Sequence, residues 1–251
     1  MPDAPALRPL SLGEVLDVSF GLYRSLFVPL VIVAVSCQAL PMAIGVYLGA
    51  SQGLFINVLL TLLYLALAVI LGAIGVAAST YIVSEAYLGR EIPATVALHR
   101  AMALLGRLVM ISFLTSILVG IGFMLLIVPG VILLSGLLLS TVVAVLEAPP
   151  DATTAMGRSW DLTRGFRGKV FLTMFVAFLL LLVPGIAIGG AGALLGNSEG
   201  VASVVILVIE SMLQVLIYPF VYVVLTVLYY DLRVRKEGLD LELLASALQP
   251  A

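Results

Sequence analysis

Residues 25–84 decide the fold, because they carry no charged side chain: SLFVPLVIVAVSCQALPMAIGVYLGASQGLFINVLLTLLYLALAVILGAIGVAASTYIVS. The hydrocarbon core of a bilayer is about 30 Å thick, so a spanning helix needs about 20 apolar residues. This run is too long for one such helix. Ala50-Ser51-Gln52-Gly53, inside the run, has the composition of a turn. The run therefore predicts a hairpin of two membrane helices.

Two further apolar runs have the same character. Residues 108–146 are uncharged and are interrupted at Gly120, Gly122 and Pro129-Gly130. Residues 170–230 are interrupted by a Gly-rich segment, 185–200, in which Asn197-Ser198-Glu199-Gly200 reads as a loop. The runs lack the alternation of apolar and polar residues that barrel strands require. We expect an all-α, polytopic membrane bundle of six transmembrane helices, arranged as three hairpins.

The composition supports the same class of protein. Apolar residues make up 63% of the chain and charged residues 10%, against about 45–50% and about 25% in soluble domains. The 12 basic and 14 acidic residues nearly cancel, so no basic excess points to nucleic acid. One cysteine, Cys37, and one histidine, His99, exclude a disulfide framework and a His/Cys-rich metal site.

The basic residues predict the orientation. All 12 of them fall in four polar segments on one predicted side: Arg8, Arg24, Arg90, Arg100, Arg107, Arg158, Arg164, Arg167, Lys169, Arg233, Arg235 and Lys236. The positive-inside rule makes that side cytoplasmic, together with both termini. Residues 1–10 lack the basic region and short apolar core of a cleaved signal peptide, so we expect the first span to be retained. Trp160, Tyr229 and Tyr230 lie near the same boundary and are predicted interfacial anchors.

Each hairpin follows a short amphipathic segment. The first begins at Ser11, where Glu14 completes a capping box; the second begins at Pro93 and the third at Asp151. We interpret the chain as one membrane domain of three units, about 9–84, 91–147 and 151–231, with a tail at 232–251. Helices of this kind suit the headgroup plane, where arginine can meet lipid phosphate. The alternative is that any short loop between membrane helices carries such a pattern.

A carboxylate ends the second helix of each predicted hairpin. Glu85, Glu147 and Asp231 stand where an apolar run stops, although negative charge is mildly unfavourable at a helix C-terminus. We predict that each pairs with an arginine of an adjacent interfacial helix, the candidates being Arg24, Arg107 and Arg167. The alternative is a solvated helix end.

Glu210 is the only ionisable side chain inside a predicted span, and Gln214 follows one turn later. An intramembrane carboxylate is a functional-site hypothesis by default, for example a proton or cation site. Counting about 20 residues back from Tyr230 reaches roughly Ser211, which leaves an outer-interface position for Glu210 equally open. Gln38 and Asn57 are the other polar candidates for a path through the spans.

Catalytic signatures are missing from the sequence. There is no GxxxxGK[ST] phosphate loop and no HExxH, and no serine has a histidine–aspartate pair at hand. A lone His99 cannot supply both acid–base chemistry and a metal ligand set. We therefore expect a non-catalytic protein without a metal or another cofactor.

Four stretches carry a family resemblance: RPLSLGEVLD at 8–17, LLIVPG at 125–130, AMGRSWDLTRG at 155–165 and YYDLRVRKEG at 229–238. Together they resemble the glycerophosphoryl diester phosphodiesterase membrane domain and related prokaryotic integral membrane proteins. The resemblance implies a module of the bacterial cytoplasmic (inner) membrane, acting near glycerophospholipids or anchoring a partner. In that family the phosphodiesterase activity belongs to a separate soluble barrel with histidine and acidic metal ligands, which has no counterpart here.

Two functions remain at this point. The first is an accessory or structural subunit that packs against membrane lipids and other integral membrane proteins. The second is a transporter or channel for a small solute or lipid, which needs a polar path. Convergence of Glu210, Gln214, Gln38 and Asn57 on one cavity would favour transport, whereas scattered or lipid-facing positions would favour the accessory role.

Overall fold

The fold was analysed in a computed structural model, which describes residues 8–50, 54–87, 89–194 and 201–238. Across these ranges the chain is all-helical, without a β-strand. The helices are α1 Leu12–Ser25, α2 Phe27–Ala50, α3 Leu54–Tyr87, α4 Ala94–Ala103, α5 Leu105–Leu125, α6 Ile127–Leu137, α7 Ser140–Leu146, α8 Ala152–Thr163, α9 Arg167–Leu194 and α10 Val201–Glu237. Residues 51–53 of the predicted turn and the whole predicted loop at 197–200 lie outside the described residues.

In the described part of the chain, five helical stretches are long and apolar enough to cross a membrane. They are Phe27–Leu48, Asn57–Tyr87, Leu105–Leu125, Ile127–Leu146 and Val208–Glu237. In addition, α9 is 28 residues long. The chain thus has the helices of a multi-pass membrane protein, as its composition indicates.

The three short helices α1, α4 and α8 begin where the sequence predicts. At α1 the Ser11 hydroxyl accepts a hydrogen bond from the Glu14 amide at 3.3 Å, and the Glu14 carboxylate accepts one from the Ser11 amide at 2.7 Å. The Arg8 guanidinium, and then the Ser11 amide, lower the pKa of Glu14 to about 2. Pro93 precedes α4, and Asp151 caps α8 by accepting from the Thr154 amide at 2.7 Å.

The helices pack in the same order three times. The second helices of the three predicted units (α3, α7 and α10) contact one another at the centre. Around them, α2 lies against α3 and α10, α5 against α6 and α3, and α9 against α10 and α6. Each short helix packs on the second helix of a neighbouring unit: α4 packs on α3, α8 on α7 and α6, and α1 on α10. The contact between α1 and α10 joins the two ends of the described chain.

The core is concentrated at one end of this bundle. We call the end that holds Glu85, Glu147 and Asp231 the charged end, and the opposite end of the long helices the open end. Fully buried apolar side chains such as Leu30, Ala77, Val223 and Leu228 pack between the helices toward the charged end. Toward the open end, large apolar side chains on α3 and α10 stay exposed, as at Leu62 and Met212.

The second hairpin turns between two of the predicted interruptions. The sequence marked Gly120, Gly122 and Pro129-Gly130, and α5 ends at Leu125 and α6 begins at Ile127, with Leu126 alone between them. Pro129 lies in the first turn of α6, where its missing N–H costs no helical hydrogen bond. A Cβ on Gly130 would stand 2.5 Å from the Phe123 ring. Small residues therefore let α5 and α6 approach closely, as in other membrane helix pairs.

Candidate functional site

Glu210 and Gln214 line a cavity between α9 and α10 at the open end. Its volume is about 350 Å³, and its remaining walls are the apolar Phe178, Leu182, Ile186, Leu213 and Ile217 together with Tyr218. Glu210 is half-buried and Gln214 is exposed. The two residues predicted to form a polar site therefore do lie together, at one edge of an apolar pocket.

A second cavity lies on the other side of α10, between α2 and α3. Its volume is about 270 Å³, and its wall holds more groups that can form hydrogen bonds: Gln38, Tyr64, Ser211, Gln214, Tyr218 and Tyr222. Gln214 and Tyr218 belong to both cavities. Three of the four polar residues proposed for a path thus converge on this pair of cavities, whereas Asn57 lines neither of the two.

The polar residues of α10 follow a regular spacing. Every fourth position carries a polar side chain: Glu210, Gln214, Tyr218, Tyr222, Thr226 and Tyr230. Because a helix turns once in about 3.6 residues, each member is offset by ~40° from the one before. The stripe therefore winds around α10, from the first cavity past the second and on toward α3. Sequence analysis missed Tyr218, Tyr222 and Thr226, although this period of four was visible in the sequence.

The stripe continues toward the charged end as a seam between α10 and α3. The Thr226 hydroxyl lies 3.5 Å from the Thr80 hydroxyl, and Ser84 and Tyr230 share a hydrogen bond of 2.7 Å. Around this seam the side chains of Val223, Val227 and Leu228 are fully buried. The two cavities are thus confined to the open end, and close packing replaces them below.

The carboxylates of the charged end are each bound by basic side chains. Glu85 forms an ion pair with Arg90, whose Nε lies 2.8 Å from the carboxylate, and accepts a hydrogen bond from Arg100 Nη1 of α4 at 3.2 Å. Glu147 accepts from Arg158 Nε of α8 at 2.8 Å and from the Tyr229 hydroxyl at 2.9 Å. The hydrogen bond to Glu147 raises the pKa of Arg158 above its usual range, so the Arg158 guanidinium stays charged.

Asp231 forms the most enclosed of these clusters. Its side chain is fully buried and accepts from the Leu10 amide at 2.7 Å, from Arg235 Nε at 3.0 Å and from Lys169 Nζ. Lys169 Nζ also donates to the Leu10 carbonyl at 2.6 Å. Leu10, two residues before α1, is therefore bound to the ends of α9 and α10 through both its amide and its carbonyl group.

The basic partners differ from those predicted. Within the described residues, the ion pairs of the three carboxylates include none of Arg24, Arg107 and Arg167. Arg100 and Arg158 lie inside α4 and α8, which pack on the preceding long helices, whereas Arg107 and Arg167 already belong to the next long helix. Arg24 is exposed in the last turn of α1. For Glu85 and Glu147, the predicted arginines thus lie seven and nine residues beyond Arg100 and Arg158, the arginines of α4 and α8 that bind them.

Two predicted interfacial anchors also have other roles. Tyr229 is only 1% exposed, and its hydroxyl binds Glu147, so it is a buried bundle residue and not an anchor. Tyr230 stacks on Tyr87 with ring centroids 4.9 Å apart. Trp160 is half-buried, with the Arg167 guanidinium 3.7 Å from its ring centroid.

Comparisons with known proteins give this site no relative. No family model, no curated protein and no solved structure matches the chain. The resemblance to the phosphodiesterase membrane domain therefore stays a prediction. Inference about function rests on the two cavities and the residues that line them.

Proposed function

We propose that this chain is a non-catalytic, six-span protein of the bacterial inner membrane that binds an amphipathic molecule in the paired cavities and moves it within the membrane. The observation that carries the proposal is the convergence of Glu210, Gln214 and Gln38 on those cavities. Polar residues are costly inside a membrane and mark substrate sites by default. A transport or lipid-handling role therefore has better support than the accessory role, which the apparent lack of intramembrane polar clusters, the many small residues and the short loops of the sequence favoured.

The depth of the site agrees with a position in the outer leaflet. From Asp231 to Glu210 the chain of α10 covers 21 residues, or ~32 Å at the helical rise, close to the hydrocarbon thickness of about 30 Å. With the charged end at the cytoplasmic surface, Glu210 stands at the outer boundary and Gln214 just below it. A lipid-sized molecule would thus meet polar groups near its own headgroup level.

The shape of the site favours entry from the side over a pore. Several walls of the first cavity, including Phe178 and Ile186, are exposed on the outside of the bundle, where lipid chains would lie. Toward the charged end the helices are closely packed around Val223 and Leu228. We therefore favour lateral binding of an amphiphile over conduction through a central channel.

The binding test is native mass spectrometry of the full chain released from mild detergent. We expect wild-type protein to retain an amphiphile and Gln214→Leu to lose it, because leucine removes the amide shared by both cavities. Met212→Leu is the control, since Met212 lies on the same helix, is exposed, and lines neither cavity. Equal retention by wild type, Gln214→Leu and Met212→Leu would contradict the proposal.

Movement is tested in proteoliposomes that contain phosphatidylcholine with a dithionite-sensitive fluorescent label on one acyl chain, a lipid without net negative charge. Dithionite added outside destroys only the label of the outer leaflet, so a protein that moves the probe increases the fraction destroyed. We expect that increase with wild type and Met212→Leu and a smaller one with Gln214→Leu. If dithionite destroys the same fraction of the label with wild-type protein as in protein-free vesicles, the protein does not move this lipid, and the movement part of the proposal is wrong.

Single cysteines test the proposed orientation. The native Cys37 is buried, so it should react poorly with an impermeant maleimide. We expect Ser51→Cys to label on intact spheroplasts and Glu91→Cys to label only after lysis. The reverse pattern would invert the orientation, and labelling of both in intact cells would contradict the six-span arrangement.

A second candidate is the accessory subunit. The exposed apolar faces of α3 and α10 at the open end, with Val58, Leu62 and Met212, favour it, since another membrane protein could cover them. A stoichiometric integral membrane partner that co-purifies with wild type and with Gln214→Leu alike would support this role over amphiphile binding.

A further inference from the structure

The carboxylate of Glu210 lines a cavity at the open end, and the long helices around it contain no lysine or arginine near this end in the sequence. No lysine or arginine occurs at residues 25–84 or 170–232, which supply the described residues lining the two cavities. Among those described wall residues, Glu210 is the one that carries a charge. The side chains beside it are neutral amides, phenols and apolar groups, so the local charge is negative.

Tyrosine rings add to this character. Tyr218 lines both cavities, and Tyr64 and Tyr222 line the second. The face of an aromatic ring carries partial negative charge and attracts cations, by about 0.5–1 kcal/mol at exposed sites and more where water is excluded. A positive group near Gln214 would thus have a carboxylate on one side and aromatic rings on the other.

An anionic group would find the opposite environment. Removal of a charge from water is costly unless a partner compensates for it, and these walls offer an anion neutral donors only. Glu210 would also repel it. A phosphate-headed anion is therefore a poor occupant. A cation suits the site better, because Glu210 is the one charged residue among the described wall residues.

We infer that the amphiphile bound here is a lipophilic cation, that is, an apolar or aromatic body bearing one positive charge. The inference rests on the proposed function and narrows it to a ligand class. The apolar walls, such as Phe178 and Leu213, take the body of the molecule. Small-molecule pockets usually have volumes of about 300–1,000 Å³. The first cavity, at about 350 Å³, lies just inside that range, and the second, at about 270 Å³, lies just below it.

The test compares two ions of the same shape and opposite charge, tetraphenylphosphonium and tetraphenylborate. Binding of each to the full chain is measured by equilibrium dialysis in micelles of an uncharged detergent, with protein-free micelles subtracted. We expect the phosphonium to bind roughly tenfold more tightly than the borate, as an added attraction near 1.4 kcal/mol requires. This comparison needs no variant, so it does not depend on the folding of a mutant.

Variants then locate the effect. Glu210→Gln should reduce the preference for the cation to the few-fold that the tyrosine rings supply. Glu91→Gln should preserve the full preference, because Glu91 lies in the exposed connection before α4. Both changes remove one negative charge, so only a local effect of Glu210 separates them. Size-exclusion profiles of both variants check that they remain folded.

The possible outcomes separate this inference from the proposed function. Equal binding of the two ions, or tighter binding of the borate, would overturn the cation assignment. If neither ion binds while Gln214→Leu still loses a native amphiphile in the mass spectrum, the cation assignment fails and the amphiphile site stands. If neither ion binds and no amphiphile depends on Gln214, both are wrong.

Discussion

The two ends of the bundle treat polar residues in opposite ways. At the charged end, Glu85, Glu147 and Asp231 are each bound by basic side chains, and the surrounding apolar residues are buried. At the open end, Glu210 and Gln214 line cavities whose walls are partly exposed. Polar side chains thus join helices at one end and face unfilled space at the other. The ion pairs and the proposed ligand site therefore lie at different ends of the same helices.

This contrast predicts that one chemical change should have a large effect at the charged end and a small one at the open end. Four matched pairs of substitutions test it, in order of decreasing expected effect. In each pair the quantity compared is the free energy of unfolding of the full chain, measured by denaturant titration in mixed micelles.

The largest difference is expected between Asp231→Asn and Glu210→Gln. Asp231 is fully buried between Lys169 and Arg235, and removal of one partner of a buried pair leaves charge without compensation. We expect a loss of about 3 kcal/mol, at the lower end of the range because both cations keep some exposure. Glu210→Gln should cost less than about 0.5 kcal/mol. Equal losses would show that the two carboxylates have equivalent surroundings.

The next pair is Leu30→Ala and Leu62→Ala. Leu30 is completely buried, whereas Leu62 is 62% exposed. In a membrane the removed side chain loses packing and not hydrophobic transfer, so we expect about 2 kcal/mol at Leu30, near the low end of the range for soluble cores. Leu62→Ala should change the free energy of unfolding little, because lipid replaces the lost methyl groups. A larger effect at Leu62 would mean that a partner or a second copy covers it.

A single hydroxyl group distinguishes the third pair, Tyr229→Phe and Tyr218→Phe. The buried Tyr229 hydroxyl donates to the Glu147 carboxylate at 2.9 Å, and a hydrogen bond to a charged group contributes about 1.5–3 kcal/mol. We expect a loss near 1.5 kcal/mol for Tyr229→Phe, since Arg158 still binds Glu147. Tyr218→Phe should be close to neutral in unfolding. A neutral Tyr229→Phe would imply that water replaces the hydroxyl.

The smallest effect is expected for glycine. A Cβ on Gly136 would stand 2.4 Å from the Trp160 ring, whereas a Cβ on Gly72, in the second cavity, meets nothing within 4 Å. Gly136→Ala should cost about 1 kcal/mol by overpacking and should shift the fluorescence of Trp160, the only tryptophan. Gly72→Ala should leave both quantities unchanged. An unchanged spectrum in Gly136→Ala would place the ring elsewhere.

Local rules allowed part of the fold to be predicted. The starts of α1 and α8 follow from Ser11 and Asp151, because a capping side chain binds amides only a few residues away. The apolar runs predicted the long helices for an equally local reason, since length and hydropathy suffice. The sequence marked three interruptions in residues 108–146 without showing which of them holds the turn, because the close approach of α5 and α6 at Gly122 and Gly130 is a contact between two helices.

Contacts between distant elements were harder to predict. The arginines nearest in sequence to the next span were chosen as partners, but the packing of α4 and α8 brings Arg100 and Arg158 to the carboxylates instead. Tyr229 looked like an interfacial residue because only the packed bundle shows that its ring is buried and that its hydroxyl binds Glu147. Among the residues that line the cavities, Glu210, Gln214 and Gln38 were predicted from the sequence. The other members of the period-four stripe on α10 were missed, although their spacing is visible in the sequence.

The hydrogen bond between the Leu10 amide and Asp231 joins residues 221 positions apart. At a synthesis rate of about 5–20 residues per second, ~10–45 s separate the emergence of these two residues from the ribosome. Throughout that interval α1 has no α10 to dock on. The contact between α1 and α10 thus forms only after Asp231 has been synthesised, and until then the Leu10 amide must bind another acceptor, such as water or a lipid headgroup.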